Sequence, residues 1–216
     1  MTQKYNDHLE TLNQIRTLME RSSRFISLSG LSGVAAGVAA LLGAGAVYLY
    51  LGTGPFGQRR LYYQQVLESE KWGLDYVTFF LLDGGIVLAL AITSGIFFTT
   101  RKARSKGQHI WDALTKRLLA NLAIPLFAGG LFCLALFYHG HIGLIAPSTL
   151  LFYGLALVNA SKYTLDDVRY LGLAEMALGL VSLFLLGYGL EFWAIGFGLL
   201  HILYGTLMYF KYERAA

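Results

Sequence analysis

The sequence predicts an all-α membrane protein with six transmembrane helices arranged as three hairpins. Six apolar runs each reach the roughly twenty residues that a helix needs to cross the hydrocarbon core of a bilayer. The 17 Lys and Arg residues are concentrated on one side of these runs. The chain is also 56% hydrophobic and only 14% charged. Its polar groups could therefore not cover its apolar surface, as those of a soluble domain do.

The predicted spans leave no room for a separate soluble domain. Residues 1–24 precede the transmembrane domain, which extends over 25–212, and residues 213–216 form a short tail. Each span is an apolar run of the required length. The spans are predicted at about 25–51, 77–98, 118–138, 142–160, 168–188 and 190–210.

The basic residues orient these spans in the membrane. Fourteen of the 17 Lys and Arg residues lie in segments 1–24, 99–117, 161–169 and 211–216. The opposite loops hold only Arg59, Arg60 and Lys71. Because cytoplasmic loops are the ones enriched in basic residues, both termini are expected in the cytoplasm. Basic residues that flank spans face anionic headgroups, so the expected partner is the lipid bilayer and not a nucleic acid.

Residues 4–22 are predicted to form an amphipathic helix on the cytoplasmic side. Apolar side chains recur at helical spacing along one stripe, and the opposite face is polar. The stripe consists of Tyr5, Leu9, Leu12, Ile15, Leu18 and Met19. Such a helix can lie on headgroups, pair with a second copy in a homo-oligomer, or dock a cytoplasmic protein partner.

The residues of span 1 and of the loops predict how the spans pack and where they are anchored. Span 1 is rich in Gly, Ala and Ser, with Gly33 and Gly37 at GxxxG spacing, which predicts a central, closely packed helix. The loop 52–76 begins with helix-breaking residues, and we predict a short amphipathic helix at 59–71 within it. The basic segment 101–117 is predicted to anchor the chain at the cytoplasmic headgroups.

Three outward-going spans share an Ala-x-Gly pattern, which indicates an internal triplication of one helical hairpin. Three parallel hairpins would then surround an axis along the membrane normal. The matching glycines are Gly37, Gly130 and Gly179 in the outward-going spans, and Gly95, Gly154 and Gly205 in the returning ones. Biased composition can produce such matches by chance, and this is the alternative interpretation.

Two ionisable residues inside the last two spans predict a site. Burying a charged side chain in lipid costs at least about 3 kcal/mol, so such residues usually mark function. Glu175 lies about 10 Å from the cytoplasmic end of span 5, and His201 about 14 Å from that of span 6. A tight turn at 187–189 joins the two spans, which makes them antiparallel neighbours. We therefore predict a contact between Glu175 and His201.

Other polar residues are expected in the same cytoplasmic half of the membrane. A buried carboxyl, an imidazole and amides can bind a cation, pass protons or hold a polar solute. The predicted ligand- or ion-binding residues are Glu175, His201, Ser32, Asn121 and Asn159. A second buried acid, Asp83, falls in the outer half and is a separate, secondary polar site. The alternative is a neutral Glu175 that only joins two helices through a hydrogen bond.

Enzyme signatures are missing from the sequence. There is no nucleotide-binding glycine loop, no HExxH and no GxSxG, so we assign no catalytic residue, and an enzyme is the least favoured class. We expect no metal and no cofactor. His139 and His141 flank Gly140 at a hairpin tip and lack further ligands nearby in the sequence. The lone Cys133 is expected to be a packing residue.

Two stretches resemble those of small, uncharacterised six-span bacterial membrane proteins. They are MERSSRFISLSGLSG at 19–33 and LGLAEMALGLVSLFLLGYGLEFWAIGFGLLHILYG at 171–205. The resemblance extends over most of the chain and implies a location in the bacterial inner membrane. It implies no activity and no site residues.

Two functions follow from these patterns. The first is transport or binding of a small solute or an ion at the polar cluster around Glu175 and His201. The alternative is a membrane-embedded regulatory or interaction subunit that docks a partner or a second copy through residues 4–22. A site open to water would favour transport, and a dry, packed bundle would favour the subunit.

Overall fold

The computed structural model describes residues 28–56, 70–105, 107 and 110–214. These residues form six long helices and one β-hairpin. The first five helices are α1 (Gly30–Leu51), α2 (Tyr76–Ser105), α3 (Ala113–Tyr138), α4 (Ile145–Ala160) and α5 (Asp166–Phe184). The sixth, α6, consists of an α-helical start at Gly189–Trp193, a π-helical segment at Ala194–Leu200 and an α-helix at His201–Tyr212. Short 3-10 helices lie at Ile142–Leu144, Ser161–Tyr163 and Leu186–Tyr188.

The helical fold class is confirmed for the described residues, and the helices coincide with the apolar runs. Helix α2 continues to Ser105, beyond the predicted end at 98, because its last residues are basic but still good helix formers. Helix α5 ends at Phe184, four residues before the predicted end at 188. The predicted helix at 4–22 lies outside the described residues and stays a prediction.

The loop between α1 and α2 contains strands β1 (Glu70–Lys71) and β2 (Leu74–Asp75), which pair in antiparallel register. The turn residues Trp72 and Gly73 have φ angles of 60° and 74°, the left-handed conformation that a two-residue hairpin turn requires. The helix predicted at 59–71 is therefore wrong at its end, because these turn dihedrals commit the chain to a hairpin. The earlier part of that segment lies outside the described residues.

An aromatic cluster fixes this hairpin to the end of α1. The Tyr50 hydroxyl donates to the carbonyl oxygen of Leu74 at 2.8 Å, and its ring stacks on Phe79 with centroids 3.9 Å apart. Trp72 meets the Tyr50 ring edge-on at 5.7 Å. Leu190, at the start of α6, belongs to the same buried cluster. We call this side of the bundle the aromatic end.

The opposite side of the bundle, which we call the basic end, is held by a second apolar cluster. It contains residues from α4, α5 and α6, with α1 and α3 packed at its edge. Its buried members are Leu157, Leu165, Val168, Leu171 and Met208. Lys162 and Lys211 follow these positions in the sequence, and Lys102 near the end of α2 donates to the carbonyl oxygen of Leu28, which packs at the edge of the cluster. The bundle therefore separates an aromatic end from a basic one, as the distribution of Lys and Arg predicts.

At the basic end, the first turn of α1 is capped by a residue from the far end of the chain. Ser29 makes no side-chain cap to its own helix. Instead the Gly30 N–H donates to Oε1 of Glu213 at 2.6 Å, and the Ser29 hydroxyl donates to the same carboxylate at 3.2 Å. Lys102 Nζ lies 3.4 Å from that Oε1 and donates to the Leu28 carbonyl oxygen at 2.6 Å. This carboxylate cluster joins α1, α2 and the end of α6.

Helix α3 also starts at a cap. Its N-cap residue, Asp112, accepts a hydrogen bond from the Thr115 backbone N–H at 2.7 Å. This hydrogen bond favours the ionised carboxylate and lowers the pKa of Asp112. A carboxylate at this position also faces the positive end of the helix dipole. The cap fixes the point at which the chain re-enters the bundle after the basic segment.

Helix α1 packs closely against α6, as its small residues predict. A Cβ added to Gly37 would lie 2.6 Å from the carbonyl oxygen of Gly198. A Cβ added to Gly205 would lie 2.6 Å from that of Gly30. Both contacts are with backbone, which cannot move aside as a side chain can. Glycine is therefore what allows the two helices to approach.

The glycines of the predicted triplication have different surroundings. A Cβ on Gly37 or Gly179 would meet a neighbouring helix, whereas one on Gly130 or Gly95 would meet nothing within 4 Å. The equivalent positions thus face a neighbouring helix in α1 and α5 but open surface in α2 and α3. The packing gives the triplication no support, and it stays a prediction.

Five of the helical stretches are long and apolar enough to cross a membrane. They are Gly30–Leu51, Tyr76–Ser105, Ala113–Tyr138, Ile142–Tyr163 and Leu186–Tyr212. Helices α2 and α3 expose large apolar side chains over most of their length, as helices in contact with lipid do. Helix α5 differs because its 19 residues include Asp166, Asp167, Arg169 and Glu175. By length and composition, five of the six predicted spans are therefore confirmed as able to cross a membrane, and the span predicted at 168–188 stays a prediction.

Candidate functional site

Glu175 lies on the face of α5 that packs against α4. The residues one turn away on this face are Gly172 and Gly179, and both bring the two backbones together. A Cβ on Gly179 would lie 2.9 Å from the Leu151 nitrogen, and one on Gly172 would lie 2.8 Å from the Gly154 carbonyl oxygen. The Glu175 side chain between them is 0% exposed.

The π-helical segment of α6 makes room for this carboxyl group. A π-helical turn carries an extra residue and often occurs at functional sites. Here it brings the carbonyl oxygen of Gly196 to 3.0 Å from Nδ1 of His201. A Cβ on Gly196 would overlap Oε2 of Glu175 and the Leu150 side chain. Glycine at this position therefore admits the Glu175 carboxyl between α5 and α6.

The predicted contact between Glu175 and His201 is present. Nδ1 of His201 lies 3.3 Å from Oε1 of Glu175. The other ring nitrogen, Nε2, lies 2.8 Å from the hydroxyl of Tyr153 on α4. Tyr153, His201 and Glu175 therefore form a continuous row across three helices, which we call the buried triad.

The hydrogen bonds of the triad assign the protons on His201. A backbone carbonyl oxygen only accepts hydrogen bonds, so Nδ1 must carry the hydrogen that it donates to Gly196. In a neutral imidazole Nε2 is then an acceptor, and the Tyr153 hydroxyl donates to it. In a protonated imidazole Nε2 donates instead, and the hydroxyl must turn to accept. The Tyr153 hydroxyl thus donates a hydrogen bond to a neutral His201 and accepts one from a protonated His201.

Both carboxyl oxygens of Glu175 lack a hydrogen-bond partner among the described residues. The Ser182 hydroxyl, two turns along the same face of α5, is also fully buried and without one. An ionised carboxylate with no partner costs several kcal/mol, on the order of 3 or more, to bury. Glu175 is therefore stable either as a neutral carboxyl group or opposite a protonated His201.

The other predicted site residues make their hydrogen bonds elsewhere. The Ser32 hydroxyl donates to the carbonyl oxygen of Ser29 at 2.5 Å, beside the carboxylate cluster. The Asn159 amide donates to the carbonyl oxygen of Asn121 at 2.9 Å and so joins α4 to α3. Asn121 in turn donates to the Arg117 carbonyl oxygen of its own helix. These hydrogen bonds connect none of the three residues to Glu175.

Asp83 lies apart from the triad, at the contact between α2 and α1. Its side chain is half-buried, and a Cβ on Gly43 would lie 3.2 Å from its Oδ2. The triad is formed instead by α4, α5 and α6. Asp83 is therefore a separate polar position, as the sequence indicates.

Sequence reasoning missed Tyr153, Gly196 and Ser182. Tyr153 could have been found, because it lies about seven residues from the basic end of α4. This count places it at about the same depth as Glu175 and His201. Ser182 lies seven residues after Glu175 and therefore on the same helical face. Gly196 had no signal, since a π-helical segment has no sequence signature of its own.

No family model, no curated protein and no solved structure matches this chain. The contacts of the buried triad are therefore what indicates a function for this chain.

Proposed function

We propose that this chain is a multi-pass protein of the bacterial inner membrane that binds or transports a small solute or an ion at Glu175 and His201. The observation that supports this function is the state of Glu175, which is fully buried while both of its carboxyl oxygens lack hydrogen-bond partners among the described residues. The site is sealed and so does not meet the condition of being open to water, which would favour transport over an interaction subunit. Support for the proposed function comes instead from the ionisable pair itself, because an ionisable residue inside a membrane domain is expensive and usually functional.

A purely structural role for Glu175 explains the site less well. Helices in membranes are joined by polar side chains whose hydrogen bonds are satisfied. His201 already has a partner for each ring nitrogen, Gly196 for Nδ1 and Tyr153 for Nε2. The ring is therefore held in place without Glu175. A carboxyl that is not needed for positioning, at a distance of 3.3 Å from an imidazole, is better explained by binding.

We also propose that α5 crosses the membrane, which brings the number of spans to six. Its first turn contacts the last turn of α6, where the Asp167 carboxylate accepts hydrogen bonds from the Tyr212 hydroxyl at 2.6 Å and from Lys211 at 3.0 Å. Just beyond its other end, the Tyr188 ring lies 6.1 Å from Phe56 at the aromatic end. Nineteen residues extend about 28 Å, close to the thickness of the hydrocarbon core. Three of its charged residues lie in the first turn, where headgroups can solvate them.

Topology reporters test the six-span arrangement with the basic end in the cytoplasm. Fusions after residues 105 and 165 should report the cytoplasm, and fusions near 140 and 189 should report the outside, because basic loops remain inside. The pair at 165 and 189 decides the position of α5. The same location for both fusions would show that α5 does not cross the membrane.

Flux measurements in proteoliposomes test the function. Protein reconstituted with an internal pH indicator is exposed to gradients of H⁺, Na⁺ or K⁺, and one of these gradients should drive flux. Glu175→Gln keeps the shape and hydrogen-bonding capacity of the side chain but cannot ionise, so we expect flux to fall on the order of 10²-fold or more, the range for a lost proton-transfer group. The variant should remain folded.

The matched control is Glu191→Gln, the same change on α6 at the aromatic end. Glu191 accepts a hydrogen bond from the Phe56 N–H at 3.1 Å and makes no contact with the triad. Its flux should equal that of the natural protein. If the natural protein and the Glu175→Gln variant are both folded and show equal flux, the Glu175 carboxyl has a structural role only.

A further inference from the structure

We infer, building on the proposed function, that the species bound at Glu175 is a proton, and that Tyr153 and His201 pass it between Glu175 and the surroundings of the bundle. The sequence left three ligand classes open: a cation, a proton or a polar solute. The geometry of the triad distinguishes them.

The surroundings of Glu175 suit a proton better than a metal cation or a solute. The carboxyl is fully buried, and a single methyl group on Gly196 would already overlap Oε2 and Leu150. A metal cation of the Ca²⁺ or Mg²⁺ type needs about six oxygen ligands. The polar group that faces Oε1 is the Nδ1–H of His201, a donor that would point its hydrogen at a cation. A proton needs neither space nor a ligand shell.

Exposure increases along the triad from Glu175 outward. Glu175 is 0% exposed, His201 is 6% exposed, and Tyr153 is only partly buried. Tyr153 also packs at the edge of the apolar cluster of the basic end. The row therefore runs across the bundle at one depth, from the sealed carboxyl of Glu175 to the less buried side chain of Tyr153.

The transfer can be written as a balanced set of proton movements. It starts from the costly state, an ionised Glu175 opposite a neutral His201, and ends in the stable state with a neutral carboxyl group. The Tyr153 O–H bond breaks as its proton binds Nε2 of His201, and the tyrosine oxygen takes up a replacement proton from outside. The hydrogen on Nδ1 turns from the Gly196 carbonyl oxygen to Oε1 of Glu175, which lies 3.3 Å from Nδ1, and the Nδ1–H bond breaks as the new O–H bond forms. The carboxylate becomes a neutral carboxyl group, the imidazole stays neutral with its hydrogen now on Nε2, and the net charge rises by one. Release is the same sequence reversed.

The titratable groups that face Glu175 are Tyr153 from α4 and His201 from α6. Helix α1 presents Gly33 to the backbone of His201. The remaining charged side chains of α5 lie in its first turn, where Asp167 binds Lys211 and Tyr212. Protonation of Glu175 is thus governed by the triad itself.

Infrared difference spectroscopy on the full-length protein in lipid nanodiscs tests this assignment. The C=O stretch of a buried, protonated carboxyl should appear as the pH falls, and it should be absent from Glu175→Gln. Glu175→Asp keeps a carboxyl one methylene shorter and should shift the band without abolishing it. A protein with no such band, or with a band unchanged in Glu175→Gln, would overturn the inference.

The route is tested by the rate at which this band forms after a rapid pH drop. Tyr153→Phe removes the hydroxyl and should slow protonation of Glu175 on the order of 10²-fold, the usual effect of a lost proton-transfer group. The matched control is Tyr204→Phe, a partly buried tyrosine of the same apolar cluster, which should leave the rate unchanged. Equal rates in Tyr153→Phe and the natural protein would rule out this route.

Varying the Na⁺ concentration at constant pH distinguishes a metal cation bound at Glu175 from a bound proton. A band that disappears as Na⁺ rises would mean that a metal cation binds at Glu175, which would overturn the proton assignment but leave the proposed function intact. A band that depends on pH alone supports the proton. Protonation of Glu175 in a protein without flux under any gradient would contradict transport as the proposed function and leave the proton-binding site standing.

Discussion

Gly154→Leu should strongly destabilise the bundle, by more than about 3 kcal/mol, at or above the upper end of typical overpacking costs. A Cβ at this position would lie 2.6 Å from the carbonyl oxygen of Gly172 and 2.7 Å from the backbone nitrogen of Met176. Backbone atoms of α5 cannot rotate away, so α4 and α5 would have to separate. Separation would also open the contacts on both sides of Glu175. Thermal unfolding in detergent, followed by circular dichroism, measures the effect.

The matched control is Gly130→Leu in the middle of α3. A Cβ there would meet nothing within 4 Å, and leucine is favoured over glycine in a helix by up to about 1 kcal/mol. Its melting temperature should equal or exceed that of the natural protein. Gly154→Ala should lie between the two. If Gly154→Leu melted as Gly130→Leu does, the close approach of α4 and α5 would be wrong.

The positions of the helices could be predicted because apolar runs long enough to cross a membrane, and the basic loops between them, are visible in the sequence. Their ends could not be predicted equally well. An apolar run shows where lipid lies, whereas α2 continues through Arg101 and Arg104 to Ser105 because the helix persists after leaving the bilayer. The end of the loop 52–76 forms a β-hairpin because Trp72 and Gly73 adopt left-handed φ angles, which composition alone does not reveal.

The sequence predicts how deep the site residues lie in the membrane, but not in which direction their side chains point around the bundle. Counting residues from the basic end placed Glu175 and His201 at one level, and a short turn made their helices neighbours, so their contact followed. Asn121 and Asn159 are expected in the same half of the membrane, but the Asn159 amide donates to the Asn121 carbonyl oxygen between α3 and α4. Depth along the helix follows from counting residues. The face of the helix on which a residue lies depends on packing. A span that is apolar on every side has no hydrophobic periodicity that would show which face is buried.

The function of the π-helical segment depends on two helices at once. Gly196 is one glycine in a run of apolar residues, and nothing in that run distinguishes Ala194–Leu200 from regular α-helix. Its role is visible only once Glu175 of α5 occupies the space that a side chain at 196 would fill. Features of this kind follow from tertiary packing and not from local propensity.

Glu213→Ala should destabilise the protein by about 3 kcal/mol, the usual cost of removing one partner from a buried ion pair. The Glu213 carboxylate accepts the Gly30 N–H at 2.6 Å and lies 3.4 Å from Lys102 Nζ. The two side chains are only 7% and 14% exposed, for Lys102 and Glu213 respectively. Alanine would remove the charge opposite Lys102 and also the cap on α1, so both losses add. The melting temperature in detergent measures the change.

An exposed ion pair at the same end of the bundle provides the control. Lys211 binds Asp167 at 3.0 Å, but its side chain is 59% exposed, so Lys211→Ala should cost less than about 1 kcal/mol. A rescue variant sharpens the test. Lys102→Met with Glu213→Gln removes both charges and keeps an amide oxygen to cap Gly30, so it should be more stable than Glu213→Ala alone. Equal melting temperatures for Glu213→Ala and Lys211→Ala would show that the carboxylate cluster does not hold α1, α2 and α6 together.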